Sequence, residues 1–169
     1  MSKLTRPRFA ILYALIPLGF LVASSSERQF RAGIPLVCLG LFTRLWANGY
    51  VGHRKVNQTD KGRGDAKVGR LITGGPYAYV RHPLYVGTFL IAIGLGIIIG
   101  HPLMVLLALI ARAIIYRNKI AEEEHTLQEE WGATFQRYRE AVSAWLPRLT
   151  AYTPQEGEWS WQGITASKE

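Results

Sequence analysis

Long stretches of this chain carry almost no charged side chains. Residues 9–26 have none, residues 32–52 have only Arg44, and residues 83–111 have none. Because a bilayer core about 30 Å thick is crossed by about 20 helical residues, these stretches predict transmembrane helices. The last stretch is too long for one crossing, and Gly-His-Pro at residues 100–102 favours a tight turn within it. The predicted spans are therefore residues 9–26, 32–52, 83–99 and 102–117.

A different pattern follows the fourth predicted span. Apolar residues recur there at helical spacing, at Ile120, Leu127, Trp131, Phe135, Tyr138, Val142 and Trp145. This spacing predicts an amphipathic helix over about 120–145, which Gly132 divides and Pro147 ends. Such a helix either lies along the membrane interface or packs back on the bundle, and its aromatic residues favour the interface. The tail, residues 148–169, is largely polar and is predicted to be poorly ordered.

These elements together predict an all-α, multi-pass integral membrane bundle. It would have about four transmembrane helices and a C-terminal amphipathic interfacial helix. The length of 169 residues is that of one domain, residues 1–169. The first span also resembles the apolar part of a signal peptide, but its length favours retention. The glycine-rich, charged segment 53–72 is typical of a loop, and it serves either as a solvated connector or as a cover over a site.

The formal charge of +8 is distributed unevenly along the chain. Basic residues precede the first span, fill segment 53–72 and follow the fourth span, whereas the other two connections carry few of them. This distribution follows the positive-inside rule and places both termini in the cytoplasm. The basic surplus would then face anionic lipid headgroups, and nucleic-acid binding is not expected. A single cysteine, Cys38, excludes an intramolecular disulfide and a cysteine-based metal site, and no metal is predicted.

The sequence GGPYAYVRHPLYVG, residues 74–87, lies at the border between the loop 53–72 and the third span. Pro83 suits the first turn of a helix, and it disfavours helical geometry for the preceding His82. Arg81 and His82 are therefore expected at the cytoplasmic end of the span, where bare backbone N–H groups and a guanidinium attract anions. They are either interfacial anchors or one half of a binding site.

Three consecutive glutamates, Glu122, Glu123 and Glu124, follow the fourth span at the same face of the membrane. Consecutive helical residues point about 100° apart. At least one of these carboxylates must therefore point toward the bundle, where it needs a partner, unless the run is simply a solvated helical face. Arg44 lies about nine residues, or roughly 13 Å, from the polar end of its span. It either lines a functional site or snorkels to the interface.

Three motifs support a more specific prediction. They are GPYAYVRHPLYVG at residues 75–87, EExxLxxxWG at residues 123–132, and WLP at residues 145–147. Their order and spacing resemble the isoprenylcysteine carboxyl methyltransferase family, which is related to the membrane phospholipid methyltransferases. The sequence RLWA at residues 44–47 is similar to bacterial members. The resemblance covers about residues 40–148.

The resemblance implies that S-adenosylmethionine binds among the C-terminal membrane helices and the cytoplasmic segments beside them. The implied cofactor-binding residues are Gly69, Arg70, Leu71, Ile72, Tyr77, His82, Pro83, Leu84, Tyr85 and Glu123. The family's substrate-side arginine, four residues before the glutamate, corresponds to Lys119, and a lysine offers a point charge where an arginine offers a planar fork. Lys119 and Arg44 are accordingly assigned to the acceptor, and Arg81, His82 and Lys119 to catalysis.

The expected activity is an integral-membrane, S-adenosylmethionine-dependent methyl transfer. The acceptor would be a lipid-like or prenylated small molecule of the isoprenylcysteine type, entering from the bilayer. Because the cofactor carries the reactive methyl group, the protein is expected mainly to align the reactants and exclude water. A phospholipid or a small thiol is an alternative acceptor within the same superfamily. A non-enzymatic four-span membrane protein is the alternative from another class.

Overall fold

The structure is a computed structural model that describes residues 25–51, 71–161 and 164. These residues are helical or irregular, and no β-strand occurs among them, which confirms the all-α class for this part of the chain. The helices are α1 at Glu27–Val51, a short 3₁₀ helix at Gly75–Ala78, α2 at Pro83–Ile99 and α3 at Pro102–Ala141.

Two helices match predicted spans closely. Helix α2 begins and ends at the predicted residues, because Pro83 begins it and the turn at residues 100–102 follows it. Helix α1 begins at Glu27 rather than at residue 32, since the Ser26 hydroxyl accepts the Gln29 N–H at 3.3 Å and caps the first turn. Of the described helices, α1 is the one both long and apolar enough to cross a membrane, and α2 is a shorter apolar helix of 17 residues.

The number of spans remains a prediction. The predicted first span lies outside the described residues apart from Ser25 and Ser26. The predicted fourth span is not a separate helix, because α3 continues for 40 residues through the glutamate run. Gly132, with φ 48° and ψ −122°, interrupts α3 at the predicted division.

The described residues form two compact units, and the first comprises residues 25–41 together with Gly87–Lys119. Within it, α1 and α2 approach closely, since a methyl group added at Gly33 would overlap the backbone of Gly94. The helices of this unit expose large apolar side chains, as expected of a surface that contacts lipid or protein. They are Phe30, Ile34, Leu39, Leu41, Leu95, Leu103, Leu106, Leu107, Ile110 and Ile114.

Of the described residues, the second unit comprises 42–51, 71–86 and those from Ile120 onward. Its core consists of Leu71, Leu127, Phe135, Tyr138 and Val142, with Trp131 and Tyr152 packed against it. Of the two predicted positions for the apolar stripe, packing back on the protein is the one observed for these residues. The segment after residue 71 and the C-terminal tail supply an apolar partner, so the stripe is buried within the protein.

The part of the C-terminal tail that the structure describes, up to residue 161, is held against residues 73–79 by hydrogen bonds, contrary to the prediction of poor order there. The Thr73 N–H donates to the Glu156 carbonyl at 3.0 Å, and the Glu156 N–H donates to the Thr73 hydroxyl at 3.0 Å. The Tyr152 N–H donates to the Ala78 carbonyl at 2.9 Å. These hydrogen bonds are made mostly by main-chain groups, which every sequence has. The periodicity of the side chains therefore could not predict them.

Gly75 allows the chain before α2 to pack against the end of α1. Its φ is 59°, in the left-handed region that favours glycine. Its α-carbon faces the ring of Tyr50, and a Cβ atom there would overlap the ring. Glycine at this position therefore helps to place the segment that carries Arg81 and His82.

Candidate functional site

Arg81 and His82 lie in the short connection between the 3₁₀ helix and α2. The His82 carbonyl accepts the Tyr85 N–H at 3.1 Å, as the first bond of the helix. Pro83 follows as the first helical residue, where its missing N–H costs no hydrogen bond. The Arg81 N–H donates to the Ser143 carbonyl at 2.9 Å, which ties the connection to the end of α3. Both side chains are thus held at the N-terminal end of α2.

Glu124 is surrounded by three basic side chains. Arg81 Nη2 lies 3.0 Å and His82 Nε2 3.1 Å from Glu124 Oε1, and Arg139 Nε lies 3.4 Å from Oε2. Arg81 Nη1 also donates to the Arg139 carbonyl at 2.6 Å. The Arg81 and Glu124 side chains are only 10% and 12% exposed, so this pair is largely shielded from water. An interfacial anchor would extend its guanidinium toward headgroups, and Arg81 does not.

Glu123 lies beside the other nitrogen of the same imidazole. It is buried, with His82 Nδ1 3.7 Å from its Oε2. The Tyr85 hydroxyl donates to Glu123 Oε1 at 2.5 Å, and the Tyr85 ring stacks on His82 with centroids 5.7 Å apart. His82 therefore has one carboxylate near each ring nitrogen. Glu122 is exposed, so the expectation that at least one of the three glutamates points inward is confirmed by Glu123 and Glu124.

The surrounding charges keep Glu124 ionised. Burial alone would raise the pKa of Glu124, but the hydrogen bond with His82 and the charges of Arg81 and Arg139 outweigh it, and the pKa lies below the ordinary 4.5. An ionised carboxylate can only accept, so the contact is a hydrogen bond in the forms of His82 that carry a proton on Nε2. Burial lowers the pKa of Arg81, and the charge of Glu124 opposes that shift.

Protonation of Glu124 is expected to destabilise the fold. Its folded pKa is depressed, so its contribution is present above its unfolded pKa and is lost as the pH falls through the folded value. The difference in unfolding free energy between wild type and Glu124→Gln should therefore be largest above about pH 5 and shrink below about pH 4.5. Denaturant unfolding over this range measures it, and a difference independent of pH would contradict the assignment.

A narrow cleft lies beside the charged cluster, which consists of Arg81, His82, Glu123, Glu124 and Arg139. Its volume of about 40 Å³ is far below the roughly 300 Å³ or more of a small-molecule pocket, so a nucleoside-sized ligand requires its walls to part. Burial raises the pKa of Tyr77 and of Tyr138. Both hydroxyls therefore keep their protons, and Tyr138 donates to the Tyr77 carbonyl at 2.7 Å. The lining residues are Val51, Leu71, Ile72, Tyr77, Arg81, His82, Leu127, Phe135 and Tyr138.

The structure brings most of the described cofactor-binding candidates together. Four of them line the cleft: Leu71, Ile72, Tyr77 and His82. Glu123 and Tyr85 lie beside His82 and are joined by a hydrogen bond. Pro83 begins α2 directly after His82.

Four further candidates are not part of this group. Arg44 Nη1 is 3.5 Å from the Leu84 carbonyl, so this predicted acceptor residue lies against the backbone of α2. Lys119 is an exposed residue of the first unit. Gly69 and Arg70 lie outside the described residues.

Sequence reasoning selected Glu123 and missed Glu124 and Arg139. The resemblance pointed to Glu123 alone, whereas Glu123 and Glu124 both lie beside the His82 ring, one at each nitrogen. One signal was available in the sequence. A buried Arg81 needs a counterion, and the glutamate run is the acidic group expected at the same face.

The known proteins similar to this chain are named either as metal-resistance proteins or as methyltransferases. Residues 28–134 match the family model described as phospholipid methyltransferase. The chain is 27% identical over 89% of its length to the nickel-cobalt-cadmium resistance protein NccN of Alcaligenes xylosoxydans xylosoxydans, of which it covers 70%. It is 32% identical over 76% of its length to the cobalt-zinc-cadmium resistance protein CzcN of Cupriavidus metallidurans, of which it covers 51%.

The other relatives are named as methyltransferases. Protein-S-isoprenylcysteine O-methyltransferase of Schizosaccharomyces pombe is 35% identical over 47% of this chain and 34% of its own length. The solved structure of the eukaryotic intramembrane Ras methyltransferase, isoprenylcysteine carboxyl methyltransferase, matches with a TM-score of 0.61 and 25% identity, over 81% of this chain and 47% of that one.

The chain spans about half the length, or less, of CzcN and of these methyltransferases. The family model, however, matches more than half of this chain. The chain therefore belongs to the phospholipid methyltransferase family, and its similarity to isoprenylcysteine methyltransferases confirms the resemblance that its motifs predicted.

Proposed function

We propose that this protein is an integral-membrane methyltransferase that uses S-adenosylmethionine to methylate a lipid-like or isoprenylcysteine-type acceptor. One observation carries the proposal. In a chain of the phospholipid methyltransferase family, Arg81 and His82 at the start of α2 are buried against Glu123 and Glu124 of α3. Four ionisable groups collected at one helix end are expected of a binding site more than of simple packing.

The membrane placement is part of the proposal. We place α1, α2 and the first part of α3 in the bilayer, as three of four crossings with both termini cytoplasmic. Helix α1 supports this placement, because it has the length and apolarity to cross a membrane. From residue 32 onward its large exposed side chains are apolar, as expected where the solvent is lipid. They include Leu39, Leu41, Phe42 and Leu45.

The residues of the cluster suit the parts of S-adenosylmethionine. A carboxylate offers about four acceptor sites, so Glu123 can accept ribose hydroxyls in addition to the Tyr85 hydroxyl. The same carboxylate suits a sulfonium or an ammonium group. Both ring nitrogens of His82 already face a glutamate, so we assign the methionine carboxylate to the N-terminal turn of α2, as helix N-termini suit anions. Leu71, Ile72 and Tyr77 provide an apolar wall for the adenine ring.

When bound, S-adenosylmethionine would supply an electrophilic methyl group. The remaining work falls to the residues of this chain, which hold the two reactants in line and exclude water. An ionised carboxylate or thiolate acceptor needs no proton removed. Glu124 holds Arg81 and His82 in place, and we assign it a positioning role.

Lys119 and Arg44 are the basic residues that we assign to an anionic acceptor. Lys119 replaces the arginine that the resemblance implies, so a planar contact with a carboxylate is replaced by a point charge. A phospholipid amine and a small thiol therefore remain alternative acceptors. The resistance proteins among the relatives are named for metals. Among the residues that the structure describes, no group of three His, Cys, Asp or Glu side chains could hold a metal ion.

The test is methyl transfer by the purified protein in lipid nanodiscs. Methyl-tritiated S-adenosylmethionine would be supplied with a farnesylated cysteine, phosphatidylethanolamine or a small thiol in parallel. We expect label in the prenylated cysteine as a base-labile ester, and much less label with Glu123→Gln when the S-adenosylmethionine concentration is below saturation. Label found only in phosphatidylethanolamine or in the thiol would show that the acceptor is a different one, and would still support a methyltransferase. Absence of both cofactor binding and product would favour the non-enzymatic membrane protein.

A further inference from the structure

Two leucines project from the turn that follows α3. Leu146 is 76% exposed and Leu149 is 99% exposed, the largest values among the large apolar side chains of the described residues. The turn is nevertheless fixed in place. The Leu146 N–H donates to the Ser143 hydroxyl at 3.2 Å, and the Arg148 N–H donates to the Tyr79 carbonyl at 3.0 Å. The exposure is therefore a property of an ordered turn.

The turn adjoins the start of α2. The ring of Trp145 lies 6.5 Å from that of Tyr85, which is in the first turn of the helix. The residue that accepts the Arg148 N–H, Tyr79, precedes Arg81 by two positions. The leucines thus lie near the point where the polar chain meets the apolar helix.

The turn is also continuous with the exposed apolar face of α1. The Tyr79 ring lies 6.4 Å from that of Trp46, and Trp46 lies 6.1 Å from Phe42. Phe42 is 60% exposed, and the neighbouring Leu45 is 51% exposed. A chain of contacts therefore leads from the face that we assign to lipid to the turn that bears Leu146 and Leu149.

A second exposed apolar group adjoins the same end of α1. Trp161 is 72% exposed, and its ring packs edge-on against Trp159 at 4.7 Å. The Ser160 N–H donates to the Gly49 carbonyl at 2.9 Å, near the end of α1. Apolar groups thus project beside both helix ends that are assigned to the cytoplasmic border, and tryptophan is enriched at such borders.

We propose that the turn Trp145–Leu149 is a membrane-docking surface, and that Leu146 and Leu149 insert into the cytoplasmic leaflet at the headgroup–acyl boundary. The inference rests on the proposed membrane placement and goes beyond the proposed activity. Lipid is the favoured partner, because the turn is connected by ring contacts to the exposed apolar face of α1 that we assign to lipid. Insertion would hold Arg81 and His82 at the level where a lipid-like acceptor leaves the bilayer.

Single-cysteine labelling tests the proposal directly. In a Cys38→Ser background, a cysteine would be placed at Leu149, at Phe42 as the span control, or at Gln136 as the water-exposed control. Each would carry an environment-sensitive fluorophore in phosphatidylcholine–phosphatidylglycerol vesicles. We expect a shallow-position spin-labelled lipid to quench the Leu149 label about threefold more than the Gln136 label, and aqueous iodide to show the reverse order.

The controls separate the possible outcomes. Lipid quenching at Phe42 with iodide quenching at Leu149 would overturn the docking surface and leave the membrane placement intact. Iodide quenching at Phe42 would overturn the placement and the docking surface together. A Leu149 label protected from both quenchers would show that protein covers the turn, and would also overturn the proposal. Methyl transfer is measured separately, so the proposed activity is tested independently of these outcomes.

Discussion

Replacing Glu123 with glutamine is expected to weaken S-adenosylmethionine binding by about 10- to 150-fold. Hydrogen bonds to charged groups contribute about 1.5–3 kcal/mol, and about 1.4 kcal/mol corresponds to a tenfold change in affinity. Glutamine keeps the size of the side chain and an oxygen for the Tyr85 hydroxyl, so the local packing is retained. Only the charge near His82 is removed. Titration calorimetry on the protein in nanodiscs measures the change.

Glu122→Gln is the matched control for that experiment. Glu122 is the adjacent residue of the same helix and is exposed, so its replacement should leave the affinity within about twofold. Equal losses for the two variants would show that net charge, and not the buried position, matters. Unchanged affinity in Glu123→Gln would remove Glu123 from the cofactor site.

Replacing Glu124 with alanine is expected to cost about 3 kcal/mol or more of folding stability. The change leaves Arg81 without its counterion in a largely buried position, and removing one partner of a buried ion pair is much more costly than losing the pair itself. His82 loses a hydrogen bond in the same step. Denaturant unfolding in detergent micelles measures the loss, with Arg81→Leu/Glu124→Leu expected to recover part of it.

An exposed ion pair on the same helix provides the comparison for Glu124. Glu129 lies 3.5 Å from His125, with both side chains about 70% exposed. Glu129→Ala should therefore cost less than about 1 kcal/mol. Similar small losses for Glu124→Ala and Glu129→Ala would mean that the cluster is solvated and that its burial does not matter for stability.

Local sequence signals predicted both ends of α2, whereas the partners of the helices were predicted poorly. Pro83 and the Gly-His-Pro turn are local signals, and both bounds of α2 agree with the structure. The apolar stripe of α3 was also recognised, but its period defines a face and not what covers that face. The covering chain is partly the tail, through Tyr152. Such contacts between distant residues are not encoded in any local pattern.

In the candidate site, too, features set by neighbouring residues were predicted and contacts between distant residues were not. A non-helical conformation at His82 was expected, because Pro83 disfavours helical geometry in the residue before it. That a glutamate would turn inward was also expected, because the run is longer than one helical face. Arg139 was not expected, since its side chain is 56% exposed and nothing in the sequence separates it from a solvated basic residue. Its link to Arg81 is a main-chain carbonyl.

The hydrogen bonds between segment 71–82 and the C-terminal part of the chain bear on how the protein is made. They connect residues 58 to 83 positions apart, from Arg81–Arg139 to Thr73–Glu156. A ribosome synthesises Arg81 and His82 long before these partners. The site can therefore form only after these partners have been translated, and a chain that stops before Glu123 would lack both carboxylates that lie beside Arg81 and His82.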